Sequence, residues 1–274
     1  MIANCCLYAL AGLLALAGLA QGEDAPANAV LKTFPFKVNQ GVAVDATYFY
    51  AISNTRIAKC DKETSKVIAT WQADRKNDAY SHFKHMNSGT VVDGRLYCAH
   101  SRYGVDPNDN SIEIWNVEGE RLDHERTIRL PRKYGSLTWI DRDRDHAWWM
   151  CYAVYGKPQN KATTLVKYQY RDGTFVEVSS WRFPDEVTGH WGAMSCSGGS
   201  WGPYGYLYTT GHDHKEAYVL EVDADNRLRY VRTETGVGFF GQAIAWDRSA
   251  TDPILWGIEK NKSISLTLIP EKNR

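Results

Sequence analysis

Short runs of alternating apolar and polar residues recur along the chain. Each is followed by an acidic or glycine turn and a second run of the same kind, the pattern of half-buried antiparallel strands. Five segments superimpose on one another. They are Gln40–Asp45 with Tyr48–Ser53, Ser88–Gly94 with Leu96–His100, Ser136–Asp141 with Trp148–Tyr152, Gly198–Pro203 with Leu207–Gly211, and Gln242–Asp247 with Leu255–Glu259. The aromatic anchors Tyr50, Tyr97, Trp149, Tyr208 and Trp256 follow one another at 47, 52, 59 and 48 residues, a spacing that suits one four-stranded blade per repeat. A third strand is predicted in each unit, over Thr55–Cys60, Ser111–Trp115, Thr164–Tyr168, Ala217–Val222 and Ser263–Leu268. The first four units continue into a fourth strand and the fifth does not. Leu31–Phe36, ahead of the first repeat, supplies the missing strand, and its Pro35 suits an outer edge.

The pattern predicts an all-β, five-bladed β-propeller closed by an N-terminal strand that completes the last blade. A β-sandwich would not require the five-fold register. Arg102–Asp109, Tyr155–Ala162 and Phe183–Met194 have the composition of inserted loops.

Residues 1–22 contain no charged side chain, and Leu7–Ala20 is an apolar run of signal-peptide length ending in small residues. The expected division is therefore a signal peptide over 1–22 and a single propeller domain over 23–274, secreted or periplasmic and free of the membrane after cleavage. A retained anchor is the alternative, favoured by the absence of basic residues before the apolar run. The 32 basic and 32 acidic residues balance, so the chain lacks the excess positive charge that nucleic acid or an anionic membrane surface would attract. A small-molecule or carbohydrate ligand and a monomer are expected. After cleavage Cys60, Cys98, Cys151 and Cys196 remain. In an oxidising compartment these permit two disulfides, and in a domain this large they serve equally as four buried thiols.

Tyr50-Ala51-Ile52-Ser53-Asn54 and Leu207-Tyr208-Thr209-Thr210-Gly211 resemble the short aromatic-strand repeats of the secreted lactonase-like, NHL and YVTN β-propellers. The likeness covers nearly all of the chain after residue 22. It implies the fold and a group that includes lactone hydrolases, cycloisomerases, lyases and binding proteins, without selecting among them.

In a propeller the first strand of each blade lines the axis, so functional groups should gather at one mouth. Residues entering first strands (Gln40, His85, Asn87, His190, Gln242) and residues ending second strands (His100, Tyr152, His212, Glu259) are predicted to share that mouth. His85, His100 and His190 are candidate bases, with Tyr152 or Glu259 as proton donor. Gln40, Asn87, Arg102, Trp191 and Gln242 are candidate substrate contacts, Arg102 for a ligand carboxylate. His100, His190 and His212 form a candidate set for a divalent metal such as calcium, manganese or zinc. Trp201, Tyr103 and Tyr155 extend a possible stacking wall, whereas His82, His124 and His146 are assigned to the surface. No nucleophile elbow, phosphate loop or His-Glu-x-x-His helix occurs. A two-carboxylate glycosidase would need an acid besides Glu259, and only Asp213 is near. The expected function is an enzyme, a lyase or hydrolase, acting on a small carboxylated sugar, lactone or uronic-acid-containing glycan. A non-catalytic propeller that binds a glycan or protein is the alternative.

Overall fold

The computed structural model describes residues 27–272, so the leader predicted over 1–22 lies outside the described residues. An N-terminal strand, β1 (Ala29–Pro35), precedes blade 1, which comprises β2 (Gly41–Val44), β3 (Tyr48–Ser53), β4 (Arg56–Asp61) and β5 (Val67–Gln72). Blade 2 is β6 (His85–Val92), β7 (Arg95–Arg102), β8 (Asp106–Asn116) and β9 (Asp123–Arg129). Blade 3 is β10 (Ser136–Arg142), β11 (Trp148–Ala153), β12 (Thr164–Arg171) and β13 (Thr174–Arg182). One helical turn, α1 (Asp185–Thr188), leads to blade 4, which is β14 (Gly198–Trp201), β15 (Leu207–Thr210), β16 (Ala217–Val222) and β17 (Leu228–Glu234). Blade 5 is β18 (Ile244–Trp246), β19 (Ile254–Glu259) and β20 (Ser263–Leu268), with β1 paired antiparallel to β20 as its fourth strand. The five sheets are antiparallel throughout, and the ring closes as the repeats predict. Among the described residues no helix is long and apolar enough to cross a membrane.

The acidic turn of the repeat has a physical role. Asp45 accepts from the Thr47 and Tyr48 N–H groups and from the hydroxyl of Tyr50, at 2.8, 2.7 and 2.5 Å. Asp143 accepts from the Ala147 N–H and from Trp149 Nε1, and Asp247 from the Ser249 N–H and from Trp256 Nε1. In three blades one carboxylate thus shapes the first hairpin and fixes the aromatic anchor of the second strand. That is why an acid and an aromatic recur together.

Inner strands are almost wholly buried, whereas outer strands such as β13 alternate between exposed and covered positions. The apolar residues form five clusters, each between two neighbouring sheets. Polar groups join the same interfaces. Fully buried Lys59 of blade 1 donates to the carbonyls of Val117, Gly119 and Arg121 in blade 2, at 2.6, 2.5 and 3.2 Å. Its ammonium also lies over the Tyr48 ring, 4.1 Å from the centroid. Buried Glu234 of blade 4 receives Asn28 Nδ2 at 2.8 Å and pairs with Lys272, so it holds both ends of the described chain.

Two expectations are corrected. Arg102–Asp109 is no plain loop: β7 and β8 extend through it, with Arg102 opposite Asp106. All four described cysteines are free and buried, so the disulfide alternative is not realised. Cys60 packs between blades 5 and 1 and Cys98 between blades 1 and 2, while Cys151 and Cys196 share the blade 3–4 core as thiols. Burial pushes the Cys60 thiol up to about 12, which suits a group that packs as a small apolar residue.

Closure by β1 yields a direct test. A chain beginning at Lys37 should lose more stability than the burial of one aromatic side chain provides, about 1.5–3 kcal/mol. Urea unfolding measures this, and an unchanged midpoint would mean that the ring holds without its last strand.

Candidate functional site

The inner strands begin at one mouth of the ring, where they meet closely. A Cβ on Gly41 would lie 2.8 Å from Ala243 Cβ, and one on Gly198 would lie 2.6 Å from Ala243 Cα. Glycine is required at both positions for blades 1 and 4 to approach blade 5 at the axis. Three predicted contacts surround this junction, all more than nine-tenths buried. Gln40 donates to Asn54 Oδ1 at 2.8 Å, Asn87 donates to the Leu137 carbonyl at 2.7 Å, and the Gln242 carbonyl accepts from the Thr210 hydroxyl at 2.7 Å. The Asn87 amide therefore ties blade 2 to blade 3.

Above them His85, half-buried at the start of β6, has its ring 5.3 Å from Tyr103, and Tyr103 lies 5.2 Å from Tyr155. The row crosses from blade 2 to blade 3 along the mouth. Burial, together with the positive charges of Lys260 and Lys84, holds the His85 imidazole down at about 4. At neutral pH it is therefore an uncharged base that feels the charge of a lysine contributed by blade 5. Burial raises the Tyr155 phenol far above its ordinary range, so it stays protonated. Lys260 stands in the tight β19–β20 turn, where nothing in the local sequence marks it as part of a site.

Of the other predicted residues, His100, Tyr152 and Trp191 are withdrawn into the interfaces between blades, and the rest are engaged by partners of their own. His100 is completely buried. The Ser111 hydroxyl donates to Glu113 at 2.6 Å and so accepts from His100 Nδ1 at 2.9 Å, which leaves Nε2 to accept from the Lys84 N–H at 3.1 Å. Both ring nitrogens are occupied, and burial holds the ring neutral, at about 4. Tyr152 lies in the blade 2–3 core, its hydroxyl 2.8 Å from that of Tyr168. Trp191 is buried in the blade 3–4 core against Phe183, with ring centroids 5.2 Å apart. Arg102 pairs with Asp109 at 3.2 Å and Glu259 with Lys262. His190 is exposed with Nδ1 3.9 Å from Glu216, and His212 pairs with Asp213 at 3.0 Å. The proposed metal set His100, His190 and His212 is therefore not assembled. Among the described residues no group of three or more His, Cys, Asp or Glu is placed to hold a metal ion.

A buried cluster that the repeat pattern does not mark lies in blade 2. Glu113, fully buried, accepts from His82 Nε2 at 3.0 Å, His124 Nε2 at 2.9 Å, Ser111 Oγ at 2.6 Å and Thr127 Oγ1 at 2.7 Å. His82 and His124 are thus largely buried partners of a carboxylate and not surface residues. The available signal was a lone acid in the apolar run Ile112-Glu113-Ile114. Burial alone would raise this carboxyl, but the bonds from His124, His82 and Ser111 and the proximity of His100 outweigh it and hold Glu113 well below the carboxylate range.

No protein-family model matches the chain, and no curated protein is significantly similar to it. Solved structures do resemble it. A luciferin-regenerating enzyme is 12% identical, with 87% of this chain and 80% of that chain covered and a TM-score of 0.53. The calcium-binding protein regucalcin from Agrobacterium tumefaciens is 12% identical over 85% and 74% of the two chains, TM-score 0.48. The PQQ-bound aldose sugar dehydrogenase of Streptomyces coelicolor is 12% identical over 89% and 99%, TM-score 0.47. The likeness to the luciferin-regenerating enzyme is one of fold, and at that level it bears out the resemblance to lactonase-like propellers.

The Glu113 network makes a stability prediction. Glu113→Ala leaves two imidazole N–H groups without their acceptor and should cost about 3–5 kcal/mol in urea unfolding at neutral pH. The carboxylate contributes fully above its unfolded value of about 4.3 and progressively less as pH falls below it. The acid-side loss of stability should therefore be smaller in Glu113→Ala than in the parent.

Proposed function

We propose that the protein is a hydrolase that opens a small lactone at the His85 mouth, with a carboxylated sugar acid as product. The observation that carries this reading is the half-buried His85 ring at the head of the Tyr103–Tyr155 row, where burial and the positive charge of Lys260 lower its basicity. His85 takes a proton from a water molecule as its oxygen attacks the lactone carbonyl. The ring C–O bond breaks, and the proton passes back from the imidazole to the leaving alkoxide. The phenol of Tyr155, kept protonated by burial, is suited to donate to the oxyanion. The ammonium of Lys260 favours the carboxylate that forms, the role expected of Arg102 before its pairing with Asp109. The enzyme character of the luciferin-regenerating relative in fold is consistent with this choice. The uncharged apolar run Leu7–Ala20 supports an activity outside the cytoplasm. His100 is engaged by Ser111, His190 faces Glu216 and His212 pairs with Asp213, so the proton transfers are assigned to His85 alone.

The test is the pH dependence of hydrolysis of a panel of aldonolactones and uronolactones. The parent should lose kcat/KM in acid with an apparent pKa near 4, the value of His85. His85→Gln should lower kcat by about 10²–10⁴-fold and abolish that limb. Full activity in His85→Gln would overturn the assignment. Saturable binding of these ligands by the parent with no turnover would make the mouth a binding site only.

A further inference from the structure

The opposite mouth, where the inner strands end, carries a separate cavity. Its volume is about 800 Å³, within the range of small-ligand sites. β6 runs from His85 at the first mouth to Val92 at the second, a span of ~25 Å at strand rise. The two mouths are therefore distinct sites.

Arg248 forms the floor. It projects from blade 5, and its Nη2 donates to Asp141 Oδ2 at 2.7 Å and to the Trp201 carbonyl at 3.2 Å, while Nη1 donates to Thr90 at 3.4 Å. One guanidinium thereby spans to blades 2, 3 and 4 across the axis. Asp141 is itself fixed by Ser200 Oγ at 3.0 Å and the Trp201 N–H at 2.7 Å. The Arg248 side chain remains 45% exposed. Three of its five N–H groups are engaged, so Nε–H and one Nη1–H are available to a ligand.

The walls combine aromatic faces with both signs of charge. Trp201 and Tyr204 line one side, both half-buried. Trp201 is backed by Trp149 at 4.8 Å, which in turn stacks on Trp181 at 5.3 Å and 22°. A wall supported in this way does not have to be ordered on binding. On the other side Arg142 lies 3.6 Å from Asp93, and His146 adds a further polar ring. The lining sets Asp93, Asp143, Asp145 and Asp252 against Arg142, Arg144 and Arg248, so a ligand charge of either sign meets its like. A neutral polyhydroxyl ligand meets neither penalty: its hydroxyls both donate and accept, and its C–H faces pack on aromatic rings.

We propose that this second mouth binds neutral carbohydrate, stacked on Trp201 and Tyr204 and hydrogen-bonded to Arg248 and Asp93. This site is independent of the chemistry assigned to His85. It is tested by calorimetric titration of the chain lacking residues 1–22 with neutral hexasaccharides of glucose, galactose, mannose, xylose and N-acetylglucosamine. At least one should bind saturably, with Kd raised tenfold or more in Trp201→Ala and in Tyr204→Ala and unchanged in His85→Ala. Tyr204 does not support the Trp149–Trp181 stack, so Tyr204→Ala decides the matter if Trp201→Ala fails to fold. The proposal is overturned if no hexasaccharide binds, if binding survives at either aromatic substitution in folded protein, or if His85→Ala abolishes it.

Discussion

The structure depends on closing the ring. Every apolar cluster lies between two sheets, so no blade owns a core, and an open array would leave one face of each terminal blade in water. Pairing of β1 with β20 removes that exposure by making the last blade from both ends of the chain. Phe34, Phe36 and Phe49 then pack across the junction of blades 5 and 1. Glu234 gathers Asn28 and Lys272 to the neighbouring blade, which anchors the closing strand on its far side.

Charged side chains reinforce the same interfaces. Lys59 ties blade 1 to blade 2, Asp141 ties blade 3 to blade 4, and Lys62 pairs with Asp247 between blades 1 and 5 at 2.7 Å. Each is desolvated and would be costly alone, yet each is met by several partners. Such groups tolerate one relative position of two sheets where apolar surfaces tolerate several. Arg248 goes further by contacting three other blades at once, and it thereby closes the axis at one end while leaving a polar floor for a ligand. The two mouths consequently differ in character: one carries a neutral base beside a lysine, the other a fixed guanidinium beneath an aromatic wall.

Much of the candidate site could not be read from sequence because it turns on which face a strand residue occupies at its end. The repeat pattern places His85 and His100 together as rim residues. In the structure His100 pairs with Met86, and cross-strand partners share a face, so both point into the blade 1–2 core. The hairpin continues to Arg102, two residues beyond the end expected, and that extension moves His100 from rim to interior. A register shift between Met86 and Gly89 breaks the alternation once more. His82 and His124 read as surface residues for the complementary reason: their partner, Glu113, is 31 and 11 residues away, and it becomes adjacent only when the turn ahead of β6 folds onto blade 2 and β8 pairs with β9.

The features legible along the chain are local and periodic. Strand alternation, the aspartate that shapes a turn and holds an aromatic ring, and the repeat length are all encoded within a few residues, and together they specify five blades and the strand that closes them. The chemistry of the mouths arises only on folding. The charge of Lys260 reaches His85 from another blade, and Arg248 meets Asp141 107 residues away. The neutrality of His85 results from its burial among neighbours that the chain brings in from distant repeats. Electrostatic environment is set by proximity in space, and no period in the sequence records it.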